Sequence, residues 1–203
     1  MSYPVPLKSA QAEIEIKKSR FIAFADYVAS REAAMKRLAE LKTEFPDARH
    51  HCWAYLLGDP NCASNAGMGD DGEPSGTAGK PILNVLQHKG VGDVFIGVVR
   101  YFGGIKLGAG GLTRAYGQAA QAVMAELEIK SFEALVSLEL SCDFALEQFI
   151  RHHLDLMKGQ ITQIDYSDRV TLKLSLPEAH QDELTRLLVA HGVVFKINHR
   201  DVK

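Results

Sequence analysis

Hydrophobic and polar positions change period several times along the first 130 residues, and each change predicts an element. Apolar residues over 12–16 and 21–28 suit two strands, joined at Lys17-Lys18-Ser19. After Ser30, a favoured N-cap residue, Ala34, Leu38, Leu41 and Phe45 mark one face of a helix that Pro46 stops. Residues 52–57 predict a strand ending at Gly58-Asp59-Pro60. A second helix is expected from about Pro81, with Ile82, Val85 and Leu86 buried. Residues 94–99 form a nearly unbroken apolar run, the mark of a strand covered on both faces. Leu112, Tyr116, Ala119, Val123 and Leu127 then recur at helical spacing behind Gly110-Gly111.

From about Ser131 the habit changes. Val136, Leu138 and Leu140 alternate with Ser137, Glu139 and Ser141 in a half-buried strand. Asp143 can cap a helix whose face is Leu146, Ile150, His153 and Met157, and Gly159 and Gly192 stand where helix C-caps belong. Strands over 161–166 and 170–176 flank the turn Ser167-Asp168. A helix through Leu184, Leu187 and Leu188 precedes a strand over 193–197. The order β-α-β-β-α-β is the ferredoxin-like plan. The expectation is an α+β chain of two domains, 1–131 and 132–203, with a short crossing at 129–134.

Composition narrows the class. The chain has 203 residues, 46% of them hydrophobic, and a formal charge of −2. Its pI near 6.4 gives no global pull towards nucleic acid. Charge is uneven, however: residues 1–130 hold 15 Lys/Arg against 14 Asp/Glu, and residues 131–203 hold 8 against 11. Within 76–117 five bases face Asp93 alone, so any phosphate contact belongs to the first domain. Three sparse cysteines (Cys52, Cys62, Cys142) suggest reduced thiols. The amino terminus has no apolar core of the signal-peptide kind, and no run approaches a membrane span. A cytoplasmic protein is expected.

Fifteen of the seventeen glycines fall between Gly58 and Gly117, where the working surface is expected. Acids lead this stretch (Asp59, Asp70, Asp71, Glu73) and bases follow (Lys80, Lys89, Arg100, Lys106, Arg114). Gly67-Met68-Gly69-Asp70-Asp71-Gly72 has the letters GxGxxG, but two aspartates would repel a pyrophosphate. Residues 76–80 hint at a Walker A loop and fail, with Pro74 at the first glycine position and Pro81 after Lys80. His50-His51-Cys52 with Cys62 matches no recognised zinc spacing, so neither metal nor cofactor is expected. Asp70, Asp71 and Glu73 suit general acid/base chemistry, yet Asp-Gly and Glu-Pro pairs are also ordinary turn chemistry.

Gly103-Gly104 and Gly108-Ala109-Gly110-Gly111 have two readings. They let the strand turn and the helix pack, or they expose helix-start N–H groups to an anion, reinforced by Lys106 and Arg114. The candidate surface therefore comprises Asp70, Asp71, Glu73, Thr77 and Lys80 from one loop, with Arg100 and Tyr101 at the strand end. Gly103, Gly104, Lys106, Gly108, Gly110, Gly111 and Arg114 complete it. The two loops are expected side by side, with Arg100 held by Asp70, Asp71 or Glu73.

Three ordered strings carry a family resemblance: Arg49-His50-His51-Cys52, the run DDGEPSGTAGKP over 70–81, and VRYFGGIKLG over 99–108. They closely resemble the IMPACT family, in particular its bacterial YigZ-like branch, and the likeness covers essentially the whole chain. The resemblance implies a first domain of the βα kind found in a small-subunit ribosomal protein and in the fourth domain of elongation factor G. The second domain would be ferredoxin-like, as in the fifth domain of that factor. Eukaryotic relatives regulate translation in starvation, largely through an additional amino-terminal domain. Here the first strand starts by about residue 12, so that mechanism is not expected to transfer. The leading expectation is a non-enzymatic binding and regulatory protein contacting RNA, ribosomal particles or a translation-regulating protein. The alternative is a hydrolase acting on a phosphorylated or peptide-like small molecule through Asp70, Asp71 and Glu73.

Overall fold

The computed structural model describes residues 2–198, which fall into two compact units, one over Tyr3–Phe132 and the other from Glu133 onward together with Ser2. Among the described residues no helix is long and apolar enough to cross a membrane. The first stretch runs β1 (Ser2–Pro6), β2 (Ala10–Ile16), β3 (Ser19–Tyr27), α1 (Arg31–Glu44), β4 (His50–Leu57) and β5 (Asn65–Gly69). It continues through α2 (Gly79–Lys89), β6 (Val94–Tyr101), α3 (Gly108–Glu126) and β7 (Ile129–Glu133). Five strands form an antiparallel sheet in the order β2-β3-β6-β4-β5. β6 is central and buried on both faces, as its unbroken apolar run predicts.

Helices cover both faces of this sheet. On one side α2 and α3 pack Ile82, Leu86, Leu112 and Tyr116 against Phe21, Ala54, Ile96 and Val98. On the other, α1 sets Ala34 and Leu41 against Phe24, Tyr55, Phe95 and Val99. The Ser30 side chain accepts from the Ala33 N–H and caps α1.

Three strands have no counterpart in the sequence expectation. β5 reads Asn65-Ala66-Gly67-Met68-Gly69, which carries almost no strand propensity. It forms because the stacked rings of Trp53 and Tyr55 lie across it: a Cβ on Gly69 would sit 2.5 Å from the Trp53 indole nitrogen, and one on Gly67 2.6 Å from the Tyr55 ring. The GxGxxG letters are thus partly an edge strand. β1 and β7 pair with each other, so 129–133 is a strand where a bare crossing was expected. Tyr3 anchors β1 by donating to Asp93, whose other oxygen accepts from the Gly58 N–H.

The second unit runs β8 (Leu135–Cys142), α4 (Phe144–Leu156), β9 (Gln160–Tyr166), β10 (Val170–Pro177), α5 (Gln181–Ala190) and β11 (Val194–Asn198). Its antiparallel sheet has the order β11-β8-β10-β9, so the unit is ferredoxin-like. Leu138, Leu140, Leu172 and Leu174 pack against Ile150, Leu154, Leu184 and Leu188. On α4 the buried position is Leu154, where His153 was expected. The left-handed residue after α4 is Lys158 (φ 56°), while Gly159 is needed because a Cβ there would meet the Leu154 side chain.

Candidate functional site

Three segments meet where β4 begins and β6 ends. Antiparallel register sets His50 opposite Arg100, and Phe21 flanks Arg100 on its other side. Strand alternation sends Val98 and Arg100 to the α2/α3 face and Tyr101 to the α1 face, where Arg20 lies over its ring. Beside them pass the loop before α2 and the loop leading into α3. Together they enclose a cleft of about 410 Å³ lined by Arg49, His50, Glu73, Arg100, Phe102 and Lys106, with Leu107, Gly108 and Ala109 at the start of α3.

A buried arginine needs a partner. Arg100 Nη1 donates to Glu73 Oε1, which also accepts from the Tyr116 hydroxyl at 2.8 Å. Of the three acids offered by the sequence, Glu73 is the one that holds Arg100. The Cys52 thiol lies 3.0 Å from the Asp70 carbonyl and 3.3 Å from the Tyr116 oxygen. Burial, with neighbouring carboxylates, pushes this thiol up to about 12, against the hydrogen bond to Tyr116. Cys52 is an inert, protonated core residue at neutral pH. Burial first, then Cys52 and Glu73, raises Tyr116 as well, so it acts as a neutral donor.

The two aspartates have structural partners. Asp70 Oδ1 accepts from the Ala78 and Gly79 N–H groups and Oδ2 from Gly76 N–H, which caps α2 from outside its own turn. Burial pushes this carboxyl up, but the three backbone donors outweigh it and hold it below the usual range. Asp71 sits at φ 42° and accepts from His51 N–H at 2.7 Å and Lys42 Nζ at 2.8 Å. Here too burial raises the carboxyl and the donors, Lys42 foremost, bring it below its ordinary value. The Asp71 carbonyl accepts from His50 Nδ1 at 2.9 Å, which orients the His50 ring towards the cleft. Thr77 is buried and donates to the Pro74 carbonyl.

The expected residues therefore divide. Glu73, Arg100, Lys106 and Gly108 line the cleft, while Asp70, Asp71 and Thr77 brace the loop behind it. Lys80 and Arg114 are exposed on α2 and α3, and Tyr101 lies across the sheet. Gly110 and Gly111 belong to the first turn of α3 itself, not to a loop before it. Gly104 takes φ 86° on the surface. Gly103 is a close approach: a Cβ there would overlap the Lys18 backbone, and its N–H donates to Ser19 Oγ. Gly103→Ala is expected to destabilise the unit by about 1–3 kcal/mol in thermal denaturation, since backbone must shift. The β2–β3 turn pinned this way holds Lys17 and Lys18 exposed at φ 48° and 64°.

The sequence offered His50 beside the three acids but not as part of the candidate surface, and it left out Arg49 and Phe102 altogether, although all three stand in the strings that carry the resemblance. The available signal was strand alternation, which places His50 and Cys52 on the same face of β4.

Comparisons agree on kinship. Residues 17–124 match the Impact N-terminal domain, and residues 140–190 match a domain of unknown function (DUF1949). The chain is 39% identical over 187 residues to the IMPACT family member YigZ of Escherichia coli strain K12, spanning 92% of each protein. An IMPACT family member of Haemophilus influenzae is 38% identical over 187 residues, spanning 90% of this chain and 91% of that protein. A crystal structure of a hypothetical protein is 35% identical with a TM-score of 0.71, covering 100% of this chain and 98% of that one. With its first unit matched by the family domain and relatives this similar along nearly their whole length, the chain belongs to the IMPACT family and stands with its bacterial YigZ-like members.

Proposed function

We propose that this chain is a non-catalytic, cytoplasmic regulator linked to translation, which binds structured RNA or ribosomal particles through the cleft of its first unit. One observation carries this reading: Arg49, Arg100 and Lys106 converge on the first turn of α3, in a chain whose overall charge is −2. Local concentration of cations is what backbone phosphate contacts require. The exposed Lys17-Lys18 turn, held against Gly103, extends the same charge beyond the cleft. The cytoplasmic placement draws on three free cysteines.

A hydrolase would need a carboxylate free to move a proton. Asp70 and Asp71 are engaged by backbone donors, and Glu73 is ion-paired to Arg100. That arrangement favours binding over chemistry.

The test is co-sedimentation with ribosomal particles, with and without RNase, alongside RNA binding at low and physiological salt. Binding that falls steeply with salt, and weakens in Arg49→Ala and Lys106→Ala, is the expected result. No association with RNA or particles even at low ionic strength would refute the reading.

A further inference from the structure

We propose that the cleft receives a phosphate monoester, the terminal phosphate of a nucleotide or of an RNA end, gripped by Arg100, Lys106 and the first turn of α3. This rests on the anion-binding reading given above and narrows it to one chemical group.

Charge separates a terminal phosphate from one inside a strand. Arg49, Arg100 and Lys106 line the cleft against one carboxylate, Glu73, so two positive charges remain uncompensated within it. An internal phosphodiester carries a single negative charge, whereas a phosphate monoester carries about −1.5 to −2 at neutral pH. The amino end of α3 adds roughly half a positive charge. The sum suits a dianion.

Arg100 supplies an independent sign of a missing acceptor. Its side chain keeps 7% of its exposure and forms part of the cleft wall. Nη1 is bonded to Glu73, but Nε is buried with no partner among the described residues. Buried donors without acceptors are rare because each is destabilising. The Nε–Nη2 edge of a guanidinium is a fork that matches two oxygens of one phosphate. Glu73 takes Nη1 and holds the group in place.

The start of α3 is built to let an oxygen come close. Its N-cap, Leu107, makes no side-chain hydrogen bond to the first turn, as is also true of the N-caps of α4 and α5. Gly108, Ala109, Gly110 and Gly111 put nothing larger than a methyl group around the unfilled N–H positions. Gly108 adopts φ 71°, which favours glycine. Next to Arg100 stands Phe102, 47% exposed with its ring centroid 5.7 Å from the guanidinium carbon, a face on which the base or sugar beyond the phosphate can lie. A cleft of about 410 Å³ accommodates a mononucleotide.

The experiment is a calorimetric titration paired with NMR of the Gly108–Gly111 amides. Its probes are inorganic phosphate, AMP, acetate, and one short RNA bearing a 5′-phosphate, a 3′-phosphate or hydroxyls at both ends. Phosphate and AMP are expected to saturate and shift those amides, and acetate to leave them in place. A phosphorylated RNA end should bind roughly tenfold tighter than the hydroxyl-ended strand, the worth of one charge-assisted contact. Lys106→Ala should weaken AMP by a similar factor. Ala109→Asp, which places a carboxylate in the cradle and suits a helix start, should abolish AMP binding with the circular dichroism unchanged.

Equal affinity for all three RNA ends would overturn the monoester assignment and leave the RNA reading standing. Binding of phosphate and AMP without any RNA would support the monoester and remove the RNA reading. Acetate as effective as phosphate, no amide shift from either, or full binding by Ala109→Asp would overturn the proposal outright.

Discussion

Arg100→Ala is expected to destabilise the first unit by about 3–5 kcal/mol, measured by chemical or thermal denaturation. The loss would come from what remains, not from the contact removed. Glu73 has only 4% of its side chain exposed, and without Arg100 its carboxylate keeps one strong donor, the Tyr116 hydroxyl. An uncompensated charge at that burial must take up a proton, draw in water or open the loop, and each route is unfavourable. The guanidinium also packs between Phe21 and Phe102, at 5.5 and 5.7 Å, so alanine removes cation–π contact and volume together. The double variant Arg100→Met/Glu73→Leu should recover most of the loss, because replacing a buried pair with apolar groups is often neutral. A single-variant effect below about 1 kcal/mol would mean that the pair is hydrated and the cleft wet.

Asp70→Ala is expected to lower stability by about 2–4 kcal/mol, because three backbone N–H groups lose their acceptor at once. Water can replace part of that in a half-buried loop, which keeps the figure below three full charge-assisted bonds. Asp70→Asn should fall between, since its amide oxygen still accepts while its NH₂ faces the Gly76 N–H. The same carboxylate predicts a pH dependence. Asp70 and Asp71 are both held below their unfolded value, so their stabilisation is complete above about pH 3.9 and is lost as pH falls through the lower folded values. Wild-type stability should therefore decline in that acid window, and Asp70→Asn should decline less steeply over the same range. Parallel acid profiles for the two proteins would show that Asp70 carries no such linkage.

These effects concern residues that look alike in the sequence. Asp70, Asp71 and Glu73 stand within four positions of one another, each beside a turn former, and nothing local distinguishes them. Asp70 becomes a helix cap because the chain returns as α2 within reach of its Oδ1. Asp71 is claimed by the β4 backbone and by Lys42 on α1. Glu73 meets Arg100 only because β6 ends beneath the loop.

The sequence by itself determined the elements whose burial repeats along the chain. α1, with Ser30 before it and Leu41 on its face, the doubly covered β6, and the β-α-β-β-α-β order after Glu133 all follow from periodicity and caps, which act within a few residues. It also marked the glycine-rich span where the cleft lies. Tertiary structure alone decided the rest. β5 exists because the Trp53 and Tyr55 rings lie over two glycines, a contact that leaves no hydrophobic signal in its own residues. Gly103 is needed for the passage of Lys18, a residue 85 positions earlier, and not for its own φ. His50 joins Arg100 through cross-strand register, and Arg49 and Phe102 follow from the chain on either side of that pair. Local patterning specifies which face of an element is buried, but partners brought together by long-range pairing determine which polar group is left to meet a ligand.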